Sequence, residues 1–182
     1  MALLAALVII NVLAYRASRD QRSAPSAIAT DAGFKRFALS VTVIVYLQLL
    51  IGGYVRHTDA GLACLDFPFC NVAAYPAGAG LQLLHRLVGV VAAALIGWLA
   101  RRASRLGLPR SLLVLAHGAF ALALIQIGLG AWSVWSRLAV PVTTAHLGVA
   151  AVIFALLVAL SVQLYSVPVR ATSSRDAGRV SA

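Results

Sequence analysis

The sequence predicts an all-α integral membrane fold: a four-helix transmembrane bundle of two parallel-repeat helix pairs, preceded by a short N-terminal helix. Three observations carry that expectation. The 182 residues are 62% hydrophobic and only 11% charged, with a mean hydropathy of +0.93, too apolar for a soluble domain. Four runs, at residues 37–55, 81–100, 111–134 and 140–167, reach the roughly 20 apolar residues that a bilayer-spanning helix needs. The basic residues gather between and at the ends of these runs rather than along them.

The elements follow in order. The first apolar run, 2–15, is at the edge of spanning length. No basic residue precedes it, as a secretory leader requires, and Arg16 and Arg19 follow it. A short or truncated helix is therefore expected rather than a cleaved signal, with a basic linker completing residues 1–33. The bundle is expected over 34–167, with a loop at 56–79, and residues 168–182 as a disordered tail. Twelve of the fifteen basic residues fall on one side. They are Arg16, Arg19, Arg22, Lys35 and Arg36, then Arg101, Arg102, Arg105 and Arg110, then Arg170, Arg175 and Arg179. Arg56, Arg86 and Arg137 lie near the opposite helix ends. The positive-inside bias puts the tail in the cytoplasm and the 56–79 loop on the external, periplasmic side of a bacterial inner membrane. The net charge of +10 is thus a topology signal. It is not laid out as a nucleic-acid surface, and lipid is the expected surrounding.

The loop HTDAGLACLDFPFCN, residues 57–71, holds both cysteines of the chain, Cys64 and Cys70. On the oxidising side of a membrane such a pair can form a disulfide. Two readings stand: a structural staple for the loop, or a redox-active pair open to thiol exchange. The spacing matches neither a CxxC redox motif nor a usual zinc pattern.

An internal repeat organises the spans. QLLIGGYV (48–55) aligns with QIGLGAWS (126–133), matching Gln48 to Gln126, Gly52 to Gly130 and Tyr54 to Trp132. The small residues permit close helix approach, and the aromatics suit an interfacial belt. Each of these helices is followed by one carrying a histidine near its start, LLHRLVG with His85 and TAHLGVA with His146. At roughly 1.5 Å per residue both sit about 8–9 Å below the surface. A single intramembrane histidine commonly just bonds a neighbouring helix; two at matched depth in a repeat point to function. Axial ligation of haem iron is the chemistry they suit. Gly89 and Gly148, each close to one of these histidines, leave room for a flat macrocycle. Arg86 could pair with a haem propionate or snorkel to the headgroups. His117 lacks a repeat partner and is expected to pack; His57 lies in the loop.

The acidic residues are informative by their places. All five are aspartates (Asp20, Asp31, Asp59, Asp66, Asp176), and none lies within a span. Serine-hydrolase, two-metal and phosphate-loop patterns are missing from the sequence too. Chemistry in this chain is expected to rest on a cofactor.

GGYVRHTDAGLACLDFPFCN, then LLHRLVG and TAHLGVA, resemble one half of the haem A synthase family over about residues 37–167. The resemblance implies two four-helix bundles related by a pseudo-two-fold axis, each with a histidine pair, and an external loop with a cysteine pair. It further implies oxidation of the C8 methyl of haem O to a formyl group, with haem b as cofactor, in cytochrome oxidase maturation. The loop departs from the family pattern at Asp59, Leu65, Phe67 and Phe69. More weighty is Gln82, which stands three residues before His85 where the family's substrate-binding half carries a glutamate; an amide cannot exchange a proton as a carboxylate can. The length is also about half the family's usual one. Either a half-length member pairs as a homo-oligomer, or this is the cofactor-holding C-terminal half, with 2–15 the end of a preceding helix; the short first run and its basic linker favour the latter. The rivals are a bis-histidine electron-transfer cytochrome, a thiol-disulfide oxidoreductase and an assembly scaffold.

Overall fold

The computed structural model describes residues 2–20, 31–66 and 78–165. Within them every regular element is helical. Helix α1 spans Ala2–Asp20, α2 Ala32–His57, α3 Ala79–Arg105, α4 Arg110–Trp135 and α5 Val140–Tyr165, with one 3₁₀ turn at Ala60–Leu62 between α2 and α3. Cys70 and the expected tail at 168–182 lie outside the described residues.

Helices α2, α3 and α4 outrun the apolar segments that announced them, while α5 begins with its run at Val140 and is described to Tyr165. At 26 or 27 residues each is about 40 Å long at 1.5 Å per residue, against a hydrocarbon layer of about 30 Å. The apolar run measures only the stretch that lipid tails cover. The backbone carries on helically among the charged residues beyond it, as at Lys35, Arg36 and Arg56 of α2 and Arg101, Arg102 and Arg105 of α3. All four are long and apolar enough to cross a membrane, and the chain is a multi-pass membrane protein. The same distinction explains α1, which continues through Arg16 and Arg19 to Asp20 instead of ending with its apolar run. Loss of hydropathy does not break a helix, and no proline or glycine intervenes before Pro25.

Local chemistry sets the ends. The Asp31 side chain accepts from the Gly33 amide at 2.8 Å and caps α2. Gly78, at φ 79°, turns the chain into α3, and Gly107, at φ 62°, turns it out. The turn between α4 and α5 is different: Arg137 and Leu138 both take positive φ, 51° and 63°, without a glycine. Two consecutive L-residues in the left-handed region make this a strained connection.

The four long helices form a closed ring. α2 packs on α3, α3 on α4, α4 on α5 and α5 back on α2, so α3 and α5 face each other on a diagonal; α1 lies outside, against α5. Fully buried Phe34, Val41, Leu99, Leu112, Leu157 and Leu160 fill the interior together with small residues such as Ala38, Ala116 and Ala119. In lipid, helices associate through close packing and hydrogen bonds rather than water exclusion, which is why small residues line the seams. Thr42 and Ser161 join α2 to α5 by a buried hydroxyl pair at 3.0 Å.

Gly97 is the tightest seam. A Cβ there would lie 2.7 Å from Cε2 of Phe120, closer than carbon atoms approach. Gly97→Ala should therefore push α3 from α4 and cost about 1–3 kcal/mol, read as a lower midpoint in detergent or denaturant titration; an unchanged midpoint would mean that the α3–α4 seam is slack.

Candidate functional site

The end of the bundle that carries the 3₁₀ turn gathers the polar residues. The repeat is built into the helices at equal register. Gln48 and Gln126 are each the seventeenth residue of α2 and α4. His85 and His146 are each the seventh of α3 and α5. The two histidines thus stand at one level on diagonal helices.

Each histidine is held by the glutamine of the helix before it. Gln48 Nε2 donates to the backbone oxygen of His85 at 2.8 Å and lies 3.0 Å from its ring Nδ1. Gln126 Nε2 donates to the backbone oxygen of His146 at 3.0 Å and lies 3.3 Å from its ring Nε2. The repeat therefore reproduces the contact, with the opposite ring nitrogen presented in its second copy. One turn beyond each glutamine a glycine makes the space: a Cβ at Gly52 would lie 2.8 Å from His85 Cε1, and one at Gly130 would lie 3.2 Å from His146 Cε1. Any side chain at Gly52 would displace the imidazole. Among the described residues, Gln48 Oε1, Gln126 Oε1 and His146 Nδ1 are buried without a hydrogen-bond partner, which a low-dielectric interior penalises.

The other expected site residues take several positions. A Cβ at Gly89 would sit 3.0 Å from Gln48 Nε2, so this glycine admits the glutamine; Gly148 faces open space. The guanidinium of Arg86 lies on the cysteine loop, donating to the backbone oxygens of Asp66 at 2.6 Å and Cys64 at 2.9 Å. Gln82, only 4% exposed, donates through Nε2 to Gly61 O at 2.6 Å, while its Oε1 is buried and unpartnered among the described residues. Gln82 and Arg86, one helical turn apart, thus grip the loop from one face of α3. Cys64 is fully buried beneath it. The loop also meets the strained α4–α5 turn, since a Cβ at Gly61 would touch Leu138 Cδ1 at 3.1 Å.

His117 is separate from this group. Its ring bonds Ser104 Oγ at 3.2 Å and Leu113 O at 2.9 Å, an α3–α4 packing role. His57 is exposed at the end of α2. No cluster of three or more His, Cys, Asp or Glu side chains occurs among the described residues. What the sequence did not disclose is the glutamine–histidine contact. Its signal was present, as a glutamine repeated at equal offset, but a helix pattern does not give the register between helices.

These features define a multi-pass helical membrane protein with a repeat-related histidine pair beneath a cysteine-bearing loop. A family model described as cytochrome oxidase assembly protein matches residues 1–158, and the chain belongs to that family, which includes the haem A synthases. It is similar to the Heme A synthase of Alkalihalophilus pseudofirmus, 35% identical over 91 residues, covering 48% of this chain and 30% of the relative. Against that of a Caulobacter species the identity is 31% over 139 residues, covering 67% and 40%. Against that of an Exiguobacterium species it is 24% over 179 residues, covering 97% and 55%. The chain thus spans about half the length, or less, of the curated relatives it matches.

The loop grip is directly measurable. Hydrogen bonds from a charged donor are worth about 1.5–3 kcal/mol, so Arg86→Ala should speed amide exchange over residues 58–66 by roughly tenfold or more. Equal exchange rates in hydrogen–deuterium mass spectrometry would show that the loop is held without it.

Proposed function

We propose that this chain is a haem-holding bundle of a haem A synthase, in which His85 and His146 are the axial ligands of a b-type haem. The bundle takes part in converting haem O to haem A for cytochrome oxidase. One observation supports this above the rest: two imidazoles at equal helix register on diagonal helices, each oriented by a glutamine and given space by a glycine. The donor set suits iron in a porphyrin. Gly52 and Gly130 seat the two imidazoles, since a Cβ at either would run into its ring, and the Nδ1 of His146 is buried, among the described residues, without the hydrogen-bond partner that burial demands.

A bound haem supplies one-electron redox chemistry, which these side chains do not provide. The chain's own residues have other duties. Gln48 and Gln126 hold the imidazoles. Gln82 and Arg86 hold the loop above them. Gln82 does not move a proton, so haem O oxidation is assigned to this bundle acting with a second four-helix half or a second copy of this chain. The electron-transfer cytochrome remains the second reading, and the amide of Gln82 in place of the family's glutamate is what favours it.

The Cys64–Cys70 pair is proposed to be a disulfide on the external, periplasmic side, with the C-terminus in the cytoplasm. The charges support this orientation. Lys35, Arg36, Arg101, Arg102, Arg105 and Arg110 lie at the helix ends away from the loop, while Arg56, Arg86 and Arg137 lie at its end.

A reduced-minus-oxidised spectrum of the detergent-purified protein tests the ligand assignment. A b-type α band is expected in the wild type and should vanish in a His85→Ala, His146→Ala double mutant. Wild-type protein that takes up no haem when supplied with it would falsify the assignment, and a band without turnover of haem O beside the second half would favour the cytochrome. Cys64→Ala should loosen the loop and lower activity while much of the haem stays bound. Loss of all haem in that variant would instead make the loop part of the cofactor site.

A further inference from the structure

Topology asks only that basic residues gather at the end of the bundle away from the cysteine loop. It does not dictate how they are spread around that end, and here the spread is uneven. On α3, Gly97, Arg101 and Ser104 recur four and three residues apart and so share one face. That face is turned to α4: a Cβ at Gly97 would strike Phe120, and Ser104 Oγ meets the His117 ring at 3.2 Å. On α4, Arg110 stands two turns before His117, on the side turned back to α3. Arg105, at the end of α3, follows Arg101 by one turn. Arg101, Ser104, Arg105, Arg110 and His117 are all exposed, so the outward side of one seam carries guanidinium groups, a hydroxyl and an imidazole together.

Arg102 supplies the contrast. One residue beyond Arg101 it turns to α2, where its guanidinium lies 3.8 Å from Asp31 Oδ2 and over the Phe34 ring. Asp31 thus answers Arg102, while Arg101, Arg105 and Arg110 form no ion pair among the described residues. Further into the membrane the same seam becomes apolar. Ala94, Gly97 and Ala121 are small, Val114 is exposed, and Trp98 stands exposed one turn from Arg101, as an interfacial indole does. The polar pair lies at the border: His117 is about 10 Å from the start of α4, and these helices outrun the hydrocarbon by about 5 Å at each end. A free anion would need only the cationic part. A negative head with an apolar chain needs both parts, in this order along the membrane normal.

We propose that the outward side of the α3–α4 seam binds an anionic phospholipid. Its phosphodiester lies among Arg101, Arg105 and Arg110, and an acyl chain runs along the seam past Gly97 and Trp98. Arginine suits this task, since its planar fork donates to two phosphate oxygens at once. Ser104 and His117 face the ester region between head and chain. The bound lipid spans both helices and so ties α3, which carries His85, to α4, which carries Gln126. None of this depends on whether the bundle holds haem.

The indole beside the arginines reads the site. The full chain is reconstituted in phosphatidylcholine bilayers in which either added phosphatidylglycerol or the phosphatidylcholine itself carries brominated chains. Quenching of Trp98 is the difference between wild type and Trp98→Phe, which leaves Trp132 and Trp135 as the common background. A basic residue near an anionic headgroup contributes about fivefold, so wild type should prefer phosphatidylglycerol at Trp98 by roughly tenfold or more. Arg101→Gln, Arg105→Gln and Arg110→Gln should each lower that preference several-fold. Arg36→Gln, which removes an exposed charge from the same end of the bundle on α2, should leave it unchanged. Equal quenching by the two lipids in wild type, a comparison that needs no arginine variant, would overturn the site. So would a loss in Arg36→Gln as large as in the seam variants, because general surface charge would then account for the preference. Release of the brominated phosphatidylglycerol by millimolar inorganic phosphate at constant ionic strength would show that the arginines hold a free anion, and would overturn the lipid as occupant.

Discussion

Inside a bilayer a polar group has no water to turn to, and every other feature of this site follows from that constraint. A histidine seven residues into a spanning helix must find its partners on neighbouring helices. Here the partner is a glutamine from the helix before it, long enough to reach both the imidazole and the backbone oxygen behind it. The glutamine alone is not sufficient, because the ring needs space against that same helix. A glycine one turn on supplies it. Glutamine, glycine and histidine are thus one unit, and the chain makes it twice.

Much of this architecture was legible in the sequence because hydropathy reports the membrane directly. Four spans, their direction from one to the next and the matched depth of His85 and His146 come from apolar length and repeat spacing alone. The helix ends were not so visible, since hydropathy stops at the edge of the hydrocarbon while the backbone continues helically, as α1 does to Asp20. Nor was the role of Gly52 and Gly130. In a sequence a small residue in a span signifies close helix approach, and only the packed bundle shows that what approaches is an imidazole. Gly89 and Gly148 illustrate the converse. Both neighbour a histidine in sequence, yet a Cβ at Gly89 would meet the glutamine and one at Gly148 would meet nothing. On a helix, residues two and four positions away point to different surroundings.

The two halves share their polar unit but differ in how they are closed. The first pair of helices is joined through the long cysteine-bearing segment, the second by the short connection between Trp135 and Val140. At the register where α3 carries Gln82 and Arg86, α5 carries Thr143 and Leu147. Among the described residues Thr143 Oγ1 bonds to Ala139 O and Val140 O, at the start of its own helix, and Leu147 is exposed. The grip on the loop is therefore a property of one half. The other half contributes a tight turn whose left-handed Leu138 supports the loop at Gly61. A pseudo-symmetric interior is capped asymmetrically, so the two histidines have unlike surroundings above them.

That asymmetry gives Gln82 a meaning beyond a missing carboxylate. Its nitrogen donates to a backbone oxygen that lies 2.6 Å away, and the side chain is almost wholly buried. An ionised glutamate in this position would set a negative oxygen against the Gly61 carbonyl, in a medium where like charges are weakly screened. It would have to be protonated, or the loop would have to move off. An ionised glutamate at this register and this path of the loop are thus incompatible. The neutral amide of Gln82 lets the loop lie down on α3, with Arg86 holding it one turn further along.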